Sequence, residues 1–165
     1  MAACQPGSFS AAGATTCFAC PAGFFSPTTG SAQCTACAPG RFSTTPGATS
    51  CTLCPTGTFA NRYNSTSCTN CTAGTFAIDN GSTSCLACPA GFFSPTTGSA
   101  QCTACAPGRF STTPGANTCL PCQPGNFSAA GAATCTPCPL GRYSASASAT
   151  SCLACAAGSA ANATG

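Results

Sequence analysis

The chain has 165 residues, and its composition excludes an ordinary globular core. Large apolar side chains are scarce, with 11 Phe, 2 Tyr, 1 Met and no Trp, whereas Cys occurs 19 times. Charge is scarcer still, because the sequence has 4 basic residues, 1 acidic residue and no His, for a formal net charge of +3. Four scattered cations do not form a phosphate-binding surface, so we expect no nucleic-acid partner.

A tandem repeat of cysteine-rich units occupies residues 1–165. Pairs of cysteines with the spacing C-x-x-C recur every 17 residues, and one residue is deleted at two places. Each unit runs from the second cysteine of one pair to the first cysteine of the next. In chain order the nine units are 4–17, 20–34, 37–51, 54–68, 71–85, 88–102, 105–119, 122–135 and 138–152, followed by a partial tenth unit, 155–165.

Every complete unit opens with the pattern Cys-x-x-Gly-x-Phe or its Tyr equivalent. Where Pro directly follows Cys, as at Pro21, we expect it at the second position of a type I turn. Where Pro directly precedes Gly, as at Pro6, we expect a type II turn with Gly at positive φ. A second Gly in the middle of most units indicates a second turn, so each unit is predicted to be a small irregular β-hairpin, and no helical periodicity is visible.

Cysteine pairing is not fixed by sequence alone. The simplest pattern joins the two ends of each hairpin, because opposed strand residues lie within disulfide reach. Cross-unit pairing of neighbouring C-x-x-C motifs is the alternative. The simplest pattern gives Cys4–Cys17, Cys20–Cys34, Cys37–Cys51, Cys54–Cys68, Cys71–Cys85, Cys88–Cys102, Cys105–Cys119, Cys122–Cys135 and Cys138–Cys152, and leaves Cys155 unpaired.

Apart from cysteine, the sequence has few residues that could bind a metal or catalyse a reaction. Four thiolates with this spacing could bind zinc, so a metal-thiolate protein ranks third among the functions considered, but we expect no metal and no other cofactor. Without His, Glu or Lys the chain offers no catalytic triad or carboxylate pair, and we expect no enzyme activity. No stretch reaches the length of a membrane span, and the first residues do not resemble a signal peptide. We therefore expect a segment of a longer secreted polypeptide, or one whose signal has been removed.

Covalent sugars are the modification that the sequence indicates. The cysteine content predicts an oxidising, extracellular location, where an uncharged surface needs another source of solubility. Candidates for N-glycosylation, each opening an N-x-S/T motif, are Asn64, Asn70, Asn80, Asn126 and Asn162. Candidates for O-glycosylation, beside Pro, are Thr28, Thr29, Thr44, Thr45, Thr96, Thr97, Thr112 and Thr113.

The aromatic side chains are the remaining apolar material. We expect the one that recurs in each unit to form the core by packing on its own disulfide and on the next unit. Phe24 and Phe92 are additional aromatics in two copies of the stretch CPAGFFSPTTGSAQC, and we expect these two to be exposed and to contact a partner.

The pattern C-x-x-G-x-[F/Y]-S followed by C-x-x-C resembles the cysteine-rich repeat of ephrin-receptor-like and growth-factor-receptor extracellular regions. One unit also resembles the first module of tumour-necrosis-factor-receptor cysteine-rich domains. The resemblance implies consecutive disulfide-closed loops stacked into an elongated rod. Receptor ectodomains usually carry many charged residues, which this chain lacks. Its composition, rich in Ala, Thr, Ser and Gly, is more similar to that of algal or protist surface proteins, such as the axial proteins of the flagellar hairs called mastigonemes.

These observations predict a structural function. We expect a stiff, disulfide-stapled rod at the cell surface, within a filament or coat glycoprotein whose partners are further copies or other chains of the same fibre. The alternative is a ligand-binding receptor module, for which residues 61–67 and 77–82 are the most divergent segments.

Overall fold

The computed structural model describes residues 3–157 and contains no helix within them. Eighteen two-residue strands pair in chain order as nine antiparallel hairpins. The strands are β1 (Ser8–Phe9), β2 (Phe18–Ala19), β3 (Phe24–Phe25), β4 (Thr35–Ala36), β5 (Arg41–Phe42), β6 (Thr52–Leu53), β7 (Thr58–Phe59), β8 (Thr69–Asn70), β9 (Thr75–Phe76), β10 (Leu86–Ala87), β11 (Phe92–Phe93), β12 (Thr103–Ala104), β13 (Arg109–Phe110), β14 (Leu120–Pro121), β15 (Asn126–Phe127), β16 (Thr136–Pro137), β17 (Arg142–Tyr143) and β18 (Leu153–Ala154).

Nine disulfides close nine loops, and they follow the end-to-end pairing rather than the cross-unit alternative. The paired Cα atoms are 5.6 or 5.7 Å apart throughout, within the usual range for a disulfide. We number the loops 1 to 9 by their cysteines: Cys4–Cys17, Cys20–Cys34, Cys37–Cys51, Cys54–Cys68, Cys71–Cys85, Cys88–Cys102, Cys105–Cys119, Cys122–Cys135 and Cys138–Cys152.

The return strand of each hairpin is the pair of residues between the cysteines of C-x-x-C. In loop 6, Phe92 pairs with Ala104 and Phe93 pairs with Thr103, so the second strand lies beyond the disulfide that closes the loop. The amide of Cys105 then donates to the carbonyl of Gly91 at 2.8 Å and closes the hairpin. The C-x-x-C motif is therefore part of the sheet and not a linker.

A tight turn precedes the first strand of every hairpin, and its third residue is always Gly at positive φ. The amide of Ser8 donates to the carbonyl of Gln5, which places Pro6 second in the turn and Gly7 third, as expected for type II. The type I turn expected where Pro directly follows Cys is wrong. The amide of Phe24 donates to the carbonyl of Pro21, so Pro21 is first in its turn and the positive φ falls on Gly23.

The far end of each loop, which we call the tip, also contains one residue at positive φ. We call this the tip residue. Gly occupies it in seven loops, whereas Asn64 and Ser148 occupy it in loops 4 and 9 with φ values of 51° and 63°. The tip residues are Gly13, Gly30, Gly47, Asn64, Gly81, Gly98, Gly115, Gly131 and Ser148.

The buried core consists of cysteine and serine rather than phenylalanine. The first cysteine of each loop is essentially inaccessible, and so is the small residue that follows the repeated aromatic in most loops. The repeated Phe side chains are only half-buried and Tyr143 is exposed, so the expected aromatic core is wrong. The buried small residues are Ser26, Ser43, Ala60, Ala77, Ser94, Ser111, Ser128 and Ser144.

The chain divides into two compact units. Unit 1 comprises Met1–Cys71 and Ala77–Cys85, and thus holds loops 1 to 4 with the tip half of loop 5. Unit 2 comprises Thr72–Phe76 and Leu86–Gly165, and holds the first strand of loop 5 with loops 6 to 9. The contacts described below lie within one unit or the other.

Candidate functional site

Consecutive loops are joined by three backbone hydrogen bonds, and we call this set of bonds a junction. Between loops 6 and 7, the amide of the turn glycine, Gly91, donates to the carbonyl of Ser111 at 2.8 Å. The amide of Ser94 donates to the carbonyl of Ala116 at 3.1 Å. In the opposite direction, the amide of the tip residue Gly115 donates to the carbonyl of Cys88 at 2.8 Å.

The same junction recurs along both units. We call the contributing groups of the earlier loop its turn edge and those of the later loop its tip edge. All three bonds form at the junctions between loops 1 and 2, 2 and 3, 3 and 4, 4 and 5, 6 and 7, 7 and 8, and 8 and 9, with lengths of 2.7–3.3 Å. Because only main-chain atoms take part, a junction does not depend on which exposed side chains a loop carries.

Loops two apart also come into contact. The turn glycine of one loop lies so close to the tip carbonyl two loops later that a Cβ atom on the glycine would overlap the carbonyl oxygen. Such a glycine is required both for its positive φ and for this close approach. The pairs are Gly7 with Gly47, Gly23 with Asn64, Gly40 with Gly81, Gly74 with Gly115, Gly91 with Gly131, and Gly108 with Ser148.

Buried serine hydroxyls add side-chain bonds to three junctions of unit 2. The hydroxyl of Ser111 donates to the carbonyl of Phe92 in the preceding loop at 3.2 Å and accepts from the amide of Gly91 at 3.1 Å. Ser128 and Ser144 donate to the preceding loop in the same way, at 3.0 and 3.1 Å. Sequence reasoning missed this position, although every loop has Ser or Ala immediately after the repeated aromatic.

Three of the four arginines are used inside their own loops. The guanidinium groups of Arg41 and Arg109 each donate, at 3.0 Å, to the carbonyl of the second cysteine of the loop, and Arg142 does so at 3.2 Å. Arg62 differs, because within the described part of the chain its guanidinium donates no hydrogen bond. It lies with Tyr63 and Asn64 on an open groove of about 510 Å³ formed by loop 4 and by Thr69 of its return strand.

The N-glycosylation candidates have different environments. Asn64 is exposed at a loop tip, and Asn80 is exposed although its Oδ1 accepts a bond from the amide of Thr56 at 3.1 Å. Asn70 is exposed in β8, next to the buried Cys71. Asn126 is half-buried, and its Nδ2 donates to a carbonyl of its own turn. Asn162 lies outside the described residues.

All eight threonines considered for O-glycosylation are exposed. They lie between the repeated aromatic and the tip residue of loops 2, 3, 6 and 7. Thr28 and Thr96 face a serine of the same loop, at 3.2 and 3.5 Å between hydroxyl oxygens. These threonines are therefore accessible for modification in the structure.

The exposed apolar side chains are not the ones that the sequence singled out. Phe24 and Phe92 are half-buried in their strands rather than exposed. Leu86, Leu120 and Leu153 are exposed, and each directly follows the second cysteine of its loop. The sequence repeat could have identified these leucines, because the residue after the second cysteine is Leu in loops 5, 7 and 9.

The cysteines offer little thiolate chemistry. Eighteen of them are in disulfides, and Cys155 is a half-buried free thiol. Disulfide sulfur does not bind zinc as a thiolate does. Asp79 lies in the tip of loop 5, where its backbone carbonyl accepts from Ser82 at 2.7 Å. Within residues 3–157, no helix is long and apolar enough to cross a membrane.

Comparison with known proteins identifies the repeat. The family model described as tyrosine-protein kinase ephrin type A/B receptor-like matches residues 7–50, 49–84, 74–122 and 125–165. The four matches together cover most of the chain, and each of them includes at least one complete loop. No curated protein is similar to the chain at a significant level.

Proposed function

Because the chain belongs to the tyrosine-protein kinase ephrin type A/B receptor-like family of cysteine-rich repeats, we propose that it is a structural segment of an extracellular fibre or coat. Its nine disulfides are of the kind that persists outside the cell, which supports this location. The proposed function is mechanical and involves neither catalysis nor a cofactor. Each loop is a short, covalently closed building block, and many blocks in series provide reach and stiffness.

The observation that carries the proposal is the repeated junction. Within a unit, three backbone hydrogen bonds join consecutive loops, and a close glycine contact joins loops two apart. Such short-range coupling, between consecutive loops and between loops two apart, makes stability approximately a sum over loops, so a longer array should remain foldable. The exact copy of residues 19–48 at residues 87–116 is displaced by four periods and leaves the alternation of turn and tip edges intact.

Glycans are part of the proposal. Only five side chains are charged at neutral pH, so the surface has little electrostatic protection against association. Asn64 and Asn80 are exposed at tips, and we propose them as the sites of N-glycosylation, with the exposed threonines as sites of O-glycosylation. Glycopeptide mapping of the secreted protein tests this proposal, and unmodified Asn64 and Asn80 peptides would contradict it.

The structural proposal is tested by changing the number of loops. A second copy of residues 88–121, which is two complete repeats, is inserted after residue 121. If the loops stack as a stiff segment, small-angle scattering will show a maximum dimension that grows by the same amount with each added copy. The matched control inserts 34 Gly and Ser residues without cysteine and gives a smaller, broader increase. A compact particle whose maximum dimension barely changes would overturn the proposal.

A receptor function is the second candidate, and loop 4 favours it. Arg62 supplies a cation that the loop does not use itself, and Tyr63 is 64% exposed beside it. An exposed guanidinium and an exposed aromatic side chain on one groove fit a ligand with a carboxylate or sulfate group. A glycan array with neutral and anionic members tests this function. Anionic binding that is lost in Arg62→Ala but kept in Arg142→Ala supports it, and an absence of anionic binding contradicts it.

A further inference from the structure

The nine disulfides differ in how closely an external thiol can approach them. The first cysteine of every loop is at most 1% exposed, so an attacking thiolate can reach only the sulfur of the second cysteine. Among the second cysteines, Cys51 and Cys119 are only 7% exposed, whereas Cys17 is exposed. The remaining six are half-buried: Cys34, Cys68, Cys85, Cys102, Cys135 and Cys152.

The two covered cysteines belong to loops 3 and 7, which carry an arginine at the start of their first strand. The side chains of Arg41 and Arg109 cross their loops, and Nη1 of each donates at 3.0 Å to the carbonyl of the second cysteine. Arg142 makes the corresponding bond in loop 9 at 3.2 Å, and Cys152 stays half-buried there. Full cover thus accompanies the closer of the two arrangements.

Loop 8 shows the same position without an arginine. Asn126 takes the place of Arg109, and its Nδ2 donates to the carbonyl of Pro124 in its own turn. Cys135 is half-buried and borders an open groove of about 310 Å³ with Asn126. In loop 7, Arg109 and Cys119 border a groove of about 440 Å³. The arginine therefore lies on the side from which a solute would approach the covered cysteine.

The internal copy repeats the contrast between covered and uncovered loops. Residues 19–48 recur exactly at residues 87–116, and this copy includes both arginines. It also includes Phe24 and Phe92, which hold the arginine position in loops 2 and 6, where the second cysteines are half-buried. Each covered loop is therefore preceded by an uncovered loop of matched sequence.

We propose that Arg41 and Arg109 shield the disulfides of loops 3 and 7 from thiol exchange, so that a reducing thiol opens the uncovered loops first. This inference goes beyond the structural function and does not depend on it. In loop 6, the thiolate attacks Sγ of Cys102, the S–S bond breaks, and Cys88 leaves as a thiolate that takes a proton from water. A second thiol then displaces Cys102 from the mixed disulfide, so two thiols are oxidised as one cystine is reduced.

The positive charge of the arginine acts in the opposite direction to its bulk. A guanidinium attracts an approaching thiolate and would by itself speed the attack. Removal of Arg109 should therefore accelerate reduction of loop 7 if cover dominates, and slow it if charge dominates. Because Cys119 is 7% exposed, we expect cover to dominate.

The test measures the reduction rate of each disulfide under native conditions. Protein with Cys155 alkylated is treated with mercaptoethanol, quenched by a second alkylating reagent and mapped by mass spectrometry. Arg109→Ala removes the cover of loop 7, and Phe92→Arg introduces the arginine into loop 6, with Phe24→Arg as the same change in loop 2. The control is Arg62→Ala, because the guanidinium of Arg62 donates no hydrogen bond within residues 3–157. Non-reduced mass spectra check that each variant has formed all nine disulfides.

We expect loops 3 and 7 of the wild type to be reduced at least about threefold more slowly than loops 2 and 6, because access limits thiol exchange. Arg109→Ala should bring loop 7 to the rate of loop 6. Phe92→Arg should slow loop 6 to the rate of loop 7, an effect that loss of stability cannot imitate. In Arg62→Ala, the disulfide of loop 4 should keep its wild-type rate.

Equal rates for loops 6 and 7 in the wild type, slower reduction in Arg109→Ala, or unchanged loop 6 in Phe92→Arg would each overturn the inference. Hydrogen exchange of the Cys122 amide, which donates to the carbonyl of Gly108 at 2.9 Å, reports opening of the loop 7 hairpin. If Arg109→Ala accelerates this exchange by the same factor as reduction, the arginine acts through stability and the inference is also overturned. Uniform reduction of a chain that scatters as a rod would leave the proposed function intact, whereas a compact particle would overturn that function alone.

Discussion

The carbonyl oxygen of Gly81 occupies the space that a Cβ atom on Gly40 would need, although the two glycines belong to loops 3 and 5. The loop between them, loop 4, bonds to both neighbours through its backbone. Contact between loops two apart thus depends on the absence of a side chain at the turn. This relationship separates two roles of glycine that sequence patterns do not distinguish.

Gly40→Ala and Gly30→Ala are predicted to have different effects. Both residues have positive φ, which costs an alanine about 1–2 kcal/mol, but a Cβ on Gly30 meets nothing within 4 Å. Gly40→Ala should therefore lose a further ~1–3 kcal/mol from the forced shift of the Gly81 carbonyl. The measurement is hydrogen exchange of the Gly81 amide, which donates to the carbonyl of Cys54 at 2.7 Å. Gly30→Ala should leave this amide protected, and unchanged protection in Gly40→Ala as well would show that only φ matters.

Removal of one disulfide should destabilise the chain locally. Replacing both Cys54 and Cys68 with Ser opens loop 4, and the chain-entropy estimate for a loop of this length is about 3 kcal/mol. We expect fast exchange in loop 4 and weaker protection in loops 2, 3 and 5, which contact it, while loop 1 stays protected because its own contacts are with loops 2 and 3. Cys155→Ser is the control, since Cys155 forms no disulfide. Global unfolding of the double variant would contradict this independence.

Ser111→Ala should weaken one junction without changing the shape of the loop. Ala60 and Ala77 already occupy the equivalent buried position, so the substitution removes hydrogen bonds and creates little strain. The expected cost is about 1 kcal/mol, seen as faster exchange of the Gly91 amide in the preceding loop. In Ser94→Ala that effect on the preceding loop should be absent, because the hydroxyl of Ser94 bonds to Ser99 within its own loop at 2.6 Å.

Arg109→Met should destabilise loop 7 more than Arg62→Met destabilises loop 4. Both changes remove one positive charge, but only Arg109 donates to a cysteine carbonyl, that of Cys119, at 3.0 Å. Loss of a hydrogen bond from a charged group costs about 1–3 kcal/mol, and exposure of the guanidinium favours the lower end. Denaturant midpoints of the two variants, measured with disulfides intact, provide the comparison. Equal midpoints would mean that Arg109 acts only through its charge.

The local structure of each loop was largely predictable from sequence. The spacing Cys-x-x-Gly-x-Phe predicts a tight turn followed by a short strand, because glycine at positive φ and a following aromatic suit a turn and a strand. The same spacing favours closure of each loop by its own cysteines, and Cys20–Cys34 illustrates the pairing found. These features depend on residues that are close in sequence, where patterns are informative.

The contacts between loops were not predictable in the same way. The aromatic side chains were expected in the core, but the space between loops admits only sulfur and small side chains such as Ser111, because backbone bonds hold the loops close together. Likewise, Pro21 was expected at the second position of its turn but is the first. The amide of Phe24 donates to the carbonyl of Pro21, so the turn begins after the cysteine and not at it. A position restricted to Ser or Ala in every unit was the available signal, and it indicates close packing more directly than aromatic content does.

The register of disulfides and return strands determines how the molecule would carry a load. A pull applied at both ends follows the shortest covalent path, which enters each loop at its first cysteine and crosses directly to its second through the S–S bond. The residues between those two cysteines lie off this path and cannot be drawn out while the disulfide is intact. Only the two residues between neighbouring loops, such as Leu86 and Ala87, bear tension, and these residues are already extended as strand β10. Under tension the chain could thus lengthen only by separation of neighbouring loops, and the residues inside each loop would contribute no length until sulfur bonds break or are reduced.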